Sequence, residues 1–282
     1  MVYLLGSILF LSLNNFLWAN YAPKLNPLVL INRRAFFTVI FTATILAVVL
    51  ALTEVQISNT PILELIGVSI IGFVGLCFLV LGFKKGSLLI FLNYSLLFTV
   101  CIAFLTEYID SFLSAKDIII LVFIFSGYLY YIYQQYKEQG SFFQKYTSHF
   151  YFIIAHFCFG VLLYFQWKYV QETPQIVLAF IQELVVFVCA SFLIYLLPSQ
   201  KNKQRELLWW QYALLALPIS FAVILGLEGL KVTNPFHSVL VNLLTPVFTL
   251  ILGVAFKIEK LKWRAIAGLL VMISGLAIFY LV

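Results

Sequence analysis

The sequence predicts an all-α membrane protein of ten transmembrane helices, arranged as two inverted five-helix repeats. Three observations predict it. Ten apolar stretches run through the chain, each long enough to cross a hydrocarbon core of ~30 Å. The chain is 63% hydrophobic and 10% charged, with a mean hydropathy of +1.06, more apolar surface than a soluble core absorbs. The last five stretches echo the first five. A β-barrel is excluded, because its strands alternate in polarity and are about half as long.

Pro, Asn and charged residues separate the spans, which read as about 3–22, 28–52, 62–83, 87–105, 117–136, 148–170, 174–197, 207–227, 236–256 and 263–282. The repeat is visible in single residues. Trp18 matches Trp167, Pro27 matches Pro174, Lys84 matches Lys231, and Asn93 matches Asn242. Glu107 matches Glu259, and Ser126-Gly127 matches Ser274-Gly275. The offsets stay between 147 and 152 on one hydropathy profile, which is the signature of an internal duplication. The two units are 1–136 and 148–282. Five spans is an odd number, so the second unit enters the membrane upside down. Inverted repeats of this kind build many secondary transporters, with the substrate site at the repeat interface.

The net charge of +6 is spread over short loops. It reflects topology rather than nucleic-acid binding, which needs a concentrated basic face. Cys77, Cys101, Cys158 and Cys189 fall inside spans in no metal or redox spacing and read as small apolar fillers. Met1-Val2-Tyr3 carries no positive leader, and Asn14 and Asn15 interrupt the first span, so it reads as a retained helix. The longest polar stretches, about 137–148 and 198–206, are too short for a soluble domain. No phosphate loop, metal-binding motif or nucleophile elbow occurs. Enzymatic activity, a cofactor, a metal and ATP-driven transport by this chain are therefore not expected.

Orientation follows from the basic residues. Arg33 and Arg34 lie within the second span, which leaves 15 of the 17 Lys and Arg. Loops after spans 1, 3, 5, 7 and 9 hold 12 of these: Lys24, Lys84, Lys85, Lys137, Lys145, Lys201, Lys203, Arg205, Lys257, Lys260, Lys262 and Arg264. The opposite side holds 3, Lys116, Lys168 and Lys231. The positive-inside rule puts the richer side in the cytoplasm and both termini outside. The expected location is the cytoplasmic membrane of a bacterium.

The stretch from Asn242 through Pro246, Gly253 and Glu259, followed by Gly268 and Ser274-Gly275, resembles the drug/metabolite transporter superfamily, EamA-type. Its repeat has a helix with a mid-span proline, a glutamate closing that helix, and a last helix with spaced glycines. In the first half Tyr94 stands where the proline is expected, and Arg33 and Arg34 resemble an arginine often found early in the second helix. The resemblance implies a cavity formed by spans 1–4 and 6–9, with spans 5 and 10 outside it. It also implies cytoplasmic termini, which the charge count opposes.

An ionised group at the bilayer centre costs ~2.5–3.5 kcal/mol or more, so each needs a reason. Glu183 lies nine residues past Pro174, ~13 Å along the helix. Gln175, Ala179, Gln182 and Glu183 share a face too polar for lipid. Glu183 is either a proton carrier on a cavity wall or a structural carboxylate neutralised by a basic neighbour. Arg33 and Arg34 occupy nearly the same place in span 2 as Gln182 and Glu183 in span 7. One arginine can pair with Glu183 or face an anionic substrate group, or at least one snorkels to the interface. Thr38 and Thr42 continue the polar line at i+4 and i+8 from Arg34.

His156 lies mid-span, with Gly160 and Tyr164 at i+4 and i+8. It either couples protons or makes one interhelical hydrogen bond. Asn14, Asn15 and Trp18, then Asn93 and Tyr94, then Asn242, Thr245 and Thr249 are further candidates. Polar groups of this kind often act as interhelical glue, but Asn93 and Asn242 stand at equivalent places in both halves. Pro246 can kink its helix. Some of the 29 Phe and 16 Tyr can serve an aromatic or amphiphilic solute, while most face lipid. The expected function is a secondary active transporter of a small molecule, with protons or exchange as the driving partner. The alternative is a non-transporting receptor or assembly protein.

Overall fold

A computed structural model describes residues 1–53, 61–94, 98, 102, 115–138, 146–197, 207–256 and 263–281. The first unit contributes α1 (Val2–Tyr21), α2 (Pro27–Leu52), α3 (Ile62–Lys85), the short α4 (Leu88–Leu92) and α5 (Ala115–Glu138). The second contributes α6 (Tyr146–Val170), α7 (Gln175–Leu196), α8 (Trp209–Lys231), α9 (Pro235–Asn242), α10 (Thr245–Ala255) and α11 (Trp263–Leu281). Among the described residues nine helical stretches are long and apolar enough to cross a membrane, with α9 and α10 together making one. About half of the fourth span lies outside the described residues, as do Glu107, Glu259, Cys101 and seven of the basic loop residues used for orientation.

Local chemistry sets the helix ends. The Asn26 side chain accepts from the Leu28 and Val29 amides at 3.0 and 3.4 Å, ahead of Pro27 at the first helical position. Asn234 and Pro235 repeat the device at α9, where Asn234 Oδ1 accepts from His237 N at 2.8 Å. Lys84 and Lys85 occupy the last turn of α3, where the helix dipole favours positive charge.

Packing follows a two-fold pattern. α1 lies along α8, and α3 lies along α6. α2 lies along α7, and α5 lies along α11. Exchanging the two units turns the first contact into the second and returns each of the other two to itself. The axis therefore runs between α2 and α7. Between membrane helices apolar burial gives no preference over lipid, so close backbone approach carries the association. The α5–α11 contact shows this most clearly. A Cβ on Gly127 would lie 2.7 Å from Met272 N, and one on Gly268 would lie 2.8 Å from Gly127 O.

The fourth and ninth spans are interrupted at matching places. α9 ends at Asn242, and α10 starts at Thr245. Across the gap Leu243 N donates to Leu240 O at 3.1 Å and Leu244 N to Val241 O at 3.0 Å. The sequence leads to a kink at Pro246; the structure has a two-residue interruption at Leu243 and Leu244, both with helical backbone angles. Proline carries no N–H and crowds the carbonyl four residues back, so the chain tightens and restarts. In the first unit α4 ends at Leu92, and Tyr94 N donates to Phe91 O at 3.1 Å without a proline. Tyrosines from the outer pair anchor both regions: Tyr128 Oη donates to Leu92 O, and Tyr280 Oη donates to His237 O at 3.2 Å.

Candidate functional site

A cavity of about 250 Å³ lies at the centre of the helices. Its described lining comes from spans 1–4 and 6–9 and includes no residue of α5 or α11. Arg34 stands seven residues into α2 and Glu183 eight into α7. These helices flank the axis, and the two side chains meet in the interior. Arg34 Nη2 lies 3.2 Å from Glu183 Oε2, with both side chains at most 4% exposed. Removing two charges from water costs several kcal/mol per ion, so the pair persists only with further contacts.

Those contacts come from α1 and α2. The Thr38 hydroxyl, one turn beyond Arg34, lies 2.7 Å from Glu183 Oε2. It also lies 2.9 Å from Ala35 O. A hydroxyl has one proton to donate and two lone pairs. It can therefore donate to a charged Glu183, or turn to Ala35 O and accept from a protonated one. The Arg34 guanidinium sits over the Trp18 ring at 5.7 Å, and Trp18 Nε1 donates to Asn14 Oδ1 at 3.0 Å. The Nε of Arg34 is buried with no hydrogen-bond partner among the described residues.

α6 supplies a polar and aromatic part of the lining. Gln166 Nε2 donates to Gln182 Oε1 at 2.6 Å. His156 lies against Phe91, with ring centroids 4.9 Å apart, and its Nε2 is 3.2 Å from Phe91 O. The lining thus combines one ion pair, several amides, one imidazole and a group of aromatic and leucine side chains.

Of the sequence candidates, Asn14, Asn15, Trp18, Arg34, His156, Gln182, Glu183 and Asn242 line the cavity. Arg33, Asn93, Tyr94 and Tyr164 do not. Arg33 is rotated about 100° from Arg34 around the helix, and its guanidinium lies 5.2 Å from the Trp209 ring and 5.5 Å from that of Tyr212. Asn93 is buried beside the end of α4, with both amide atoms lacking a partner among the described residues. Tyr94 Oη is 2.7 Å from His149 Nδ1. Tyr164 packs beside Phe165 and Trp167. Gln175 turns away from Glu183 and donates to Glu228 Oε2 at 3.1 Å.

Gln166 and Glu228 were not singled out in the sequence. His156, Phe159, Leu163 and Gln166 recur at i, i+3, i+7 and i+10 and all line the cavity. An 8-residue step rotates about 80° away from the starting face, while a 7-residue step rotates about 20°. That difference carries Tyr164 off the cavity and keeps Leu163 on it. Glu228 falls one residue past the span read as 207–227, in the last turn of α8.

Residues 147–281 match the model of the EamA-like transporter family. A solved structure, described only as the crystal structure of a protein, covers 99% of this chain and 96% of its own, with a TM-score of 0.69 and 15% identity. At that identity the likeness shows the fold. No curated protein matches the chain. Residues 147–281 thus match an EamA-like transporter unit, set within an all-helical membrane fold that the solved structure shares along nearly the whole length.

Proposed function

We propose that the chain is a secondary active transporter that moves a small metabolite, or an amphiphilic or aromatic solute, through the central cavity. The gradient is carried by protons or by a counter-exchanged solute, and the membrane is the bacterial cytoplasmic one. The observation that carries this reading is Glu183, a buried carboxylate on the cavity wall. It contacts both a cation and a hydroxyl able to serve either of its protonation states. A carboxylate placed where solute passes, with both states accommodated, is suited to carrying a proton in step with the solute.

The test is flux in proteoliposomes containing the full chain. A solute found by thermal stabilisation of the purified protein should accumulate against its gradient when a pH difference is imposed. In Glu183→Gln that accumulation should vanish, while exchange of labelled for unlabelled solute continues. Wild-type accumulation in Glu183→Gln would remove Glu183 from the coupling step and direct attention to His156.

A further inference from the structure

We propose that the cavity binds a small carboxylate anion with an aromatic or aliphatic body, and that this anion replaces Glu183 as the partner of Arg34. The proposal rests on the transport reading for its physiological meaning, but its binding step can be tested without flux. Arg34, Glu183 and His156 are the ionisable side chains lining the cavity among the described residues. At rest Arg34 is held by a single Glu183 oxygen, and its Nε is buried without a partner. A guanidinium offers five donors in a planar fork that matches a carboxylate at two points. One carboxylate oxygen on one side therefore leaves much of its recognition capacity unused.

The rest of the wall fits the body of such an anion. Trp18 lies under the guanidinium, and Phe91, Phe98 and Phe159 line the same space. The volume of about 250 Å³ is below the usual range of about 300–1,000 Å³ for ligand pockets. It suits a solute of roughly one ring.

Charge balance links the anion to a proton. Adding an anion beside an ionised Glu183 would place two negative groups against one guanidinium in a low-dielectric interior. A proton taken from water onto a Glu183 oxygen removes the conflict. Thr38 accepts from the new O–H by turning its own proton to Ala35 O. The site stays neutral as one proton and one anion enter together. The helices packed around Glu183 place no second carboxylate in the described lining. α2 brings Arg34 and Thr38, α1 brings the uncharged Trp18 and Asn14, and α3 brings Gly72 and Leu76. From α6 come His156, directed at Phe91 O, and Gln166, bonded to Gln182. α8 brings Ile219 and Val223, its Glu228 being engaged with Gln175. Once Glu183 is protonated, no carboxylate remains in the described lining to receive an ammonium group, so cations are disfavoured.

Calorimetry on the detergent-solubilised full chain tests this, using phenylacetate, the neutral phenylacetamide and the cationic phenethylamine. A simple carboxylic acid stays ionised above about pH 5.5. Phenylacetate should bind at least tenfold tighter than either analogue at pH 6. Its affinity should rise by up to about tenfold for each pH unit lowered, because one proton is taken up per anion. Titrations in two buffers of different ionisation heat should give that proton directly. In Glu183→Gln the uptake should disappear and binding should lose its pH dependence. In the uncharged Arg34→Gln/Glu183→Gln pair the preference for phenylacetate over phenylacetamide should be lost. The proposal is overturned if wild-type protein binds phenylacetamide or phenethylamine as well as phenylacetate, or if proton uptake persists in Glu183→Gln. Anion binding with proton uptake but no flux would overturn the transport reading alone. Flux of a solute with no anion preference would overturn this inference alone.

Discussion

Arg34 on α2 and Glu183 on α7 form an ion pair at 3.2 Å within an interior that is otherwise largely apolar. Each side chain comes from a different unit, and the helices that carry them touch across the axis relating the two halves. The pair therefore belongs to the interface between the repeats.

Breaking the pair from one side should be more damaging than removing it. Arg34→Met leaves a buried carboxylate without its cation, a change that typically costs ~3–5 kcal/mol. The double variant Arg34→Met/Glu183→Leu leaves no charge behind and should recover most of that loss. Thermal unfolding of the three proteins in one detergent checks the order; a double variant less stable than Arg34→Met would contradict it.

Thr38→Val should separate stability from coupling. It removes the hydroxyl 2.7 Å from Glu183 Oε2 at nearly constant volume. Leaving a buried charged acceptor one partner short costs about 1–3 kcal/mol. Proton-driven accumulation should fall by roughly tenfold or more, since 1.4 kcal/mol is a factor of ten. Exchange should fall less. Equal loss of both activities would show that Thr38 only supports the fold.

The contact between α5 and α11 should not tolerate a single added methyl. At Gly127 the new Cβ would meet the Met272 amide at 2.7 Å, and backbone cannot move aside as a side-chain tip can. Gly127→Ala should cost about 1–3 kcal/mol, as overpacking usually does. Gly67, where nothing lies within 4 Å, is the control. Gly67→Ala should be neutral or stabilising by up to ~1 kcal/mol, because alanine loses less freedom in a helix. Melting temperatures of the two variants test the contrast.

Single cysteines introduced at Ser141 and Ser199 should report the orientation. The 12-to-3 bias of basic residues places both positions in the cytoplasm. In a background lacking the native cysteines, a membrane-impermeant maleimide should label them only after the cells are opened. Labelling of both in intact cells would give the opposite orientation, with cytoplasmic termini.

The fold was legible because membrane spans advertise themselves through length and hydropathy, and because Trp18, Pro27 and Asn93 have counterparts at nearly constant spacing. Glu183 was legible because a carboxylate in an apolar helix requires a partner. Its choice between Arg33 and Arg34 was not legible. Adjacent residues differ by about 100° of rotation, and the helix orientation that turns Arg34 inward and Arg33 onto Trp209 is set by packing against α7 and α8. Tyr164 lies off the cavity lining for a similar reason, as an 8-residue step leaves the starting face. The bond between Gln166 and Gln182 joins two spans whose facing is decided only by the folded arrangement.

The ion pair across the axis also limits how the two halves can be assembled. Arg34 and Glu183 stand at nearly corresponding points of the repeat, where a symmetric homodimer of one half would place the same residue twice. Two copies of the first half would set guanidinium against guanidinium, and two copies of the second would set carboxylate against carboxylate. Neither self-pairing can make the neutral contact seen here. Opposite signs at one position therefore let each half neutralise the other without a change of protonation. Complementary halves expressed as separate polypeptides retain the means to find each other, whereas a duplicated half does not. A chain built from either half twice would lack this Arg34–Glu183 contact.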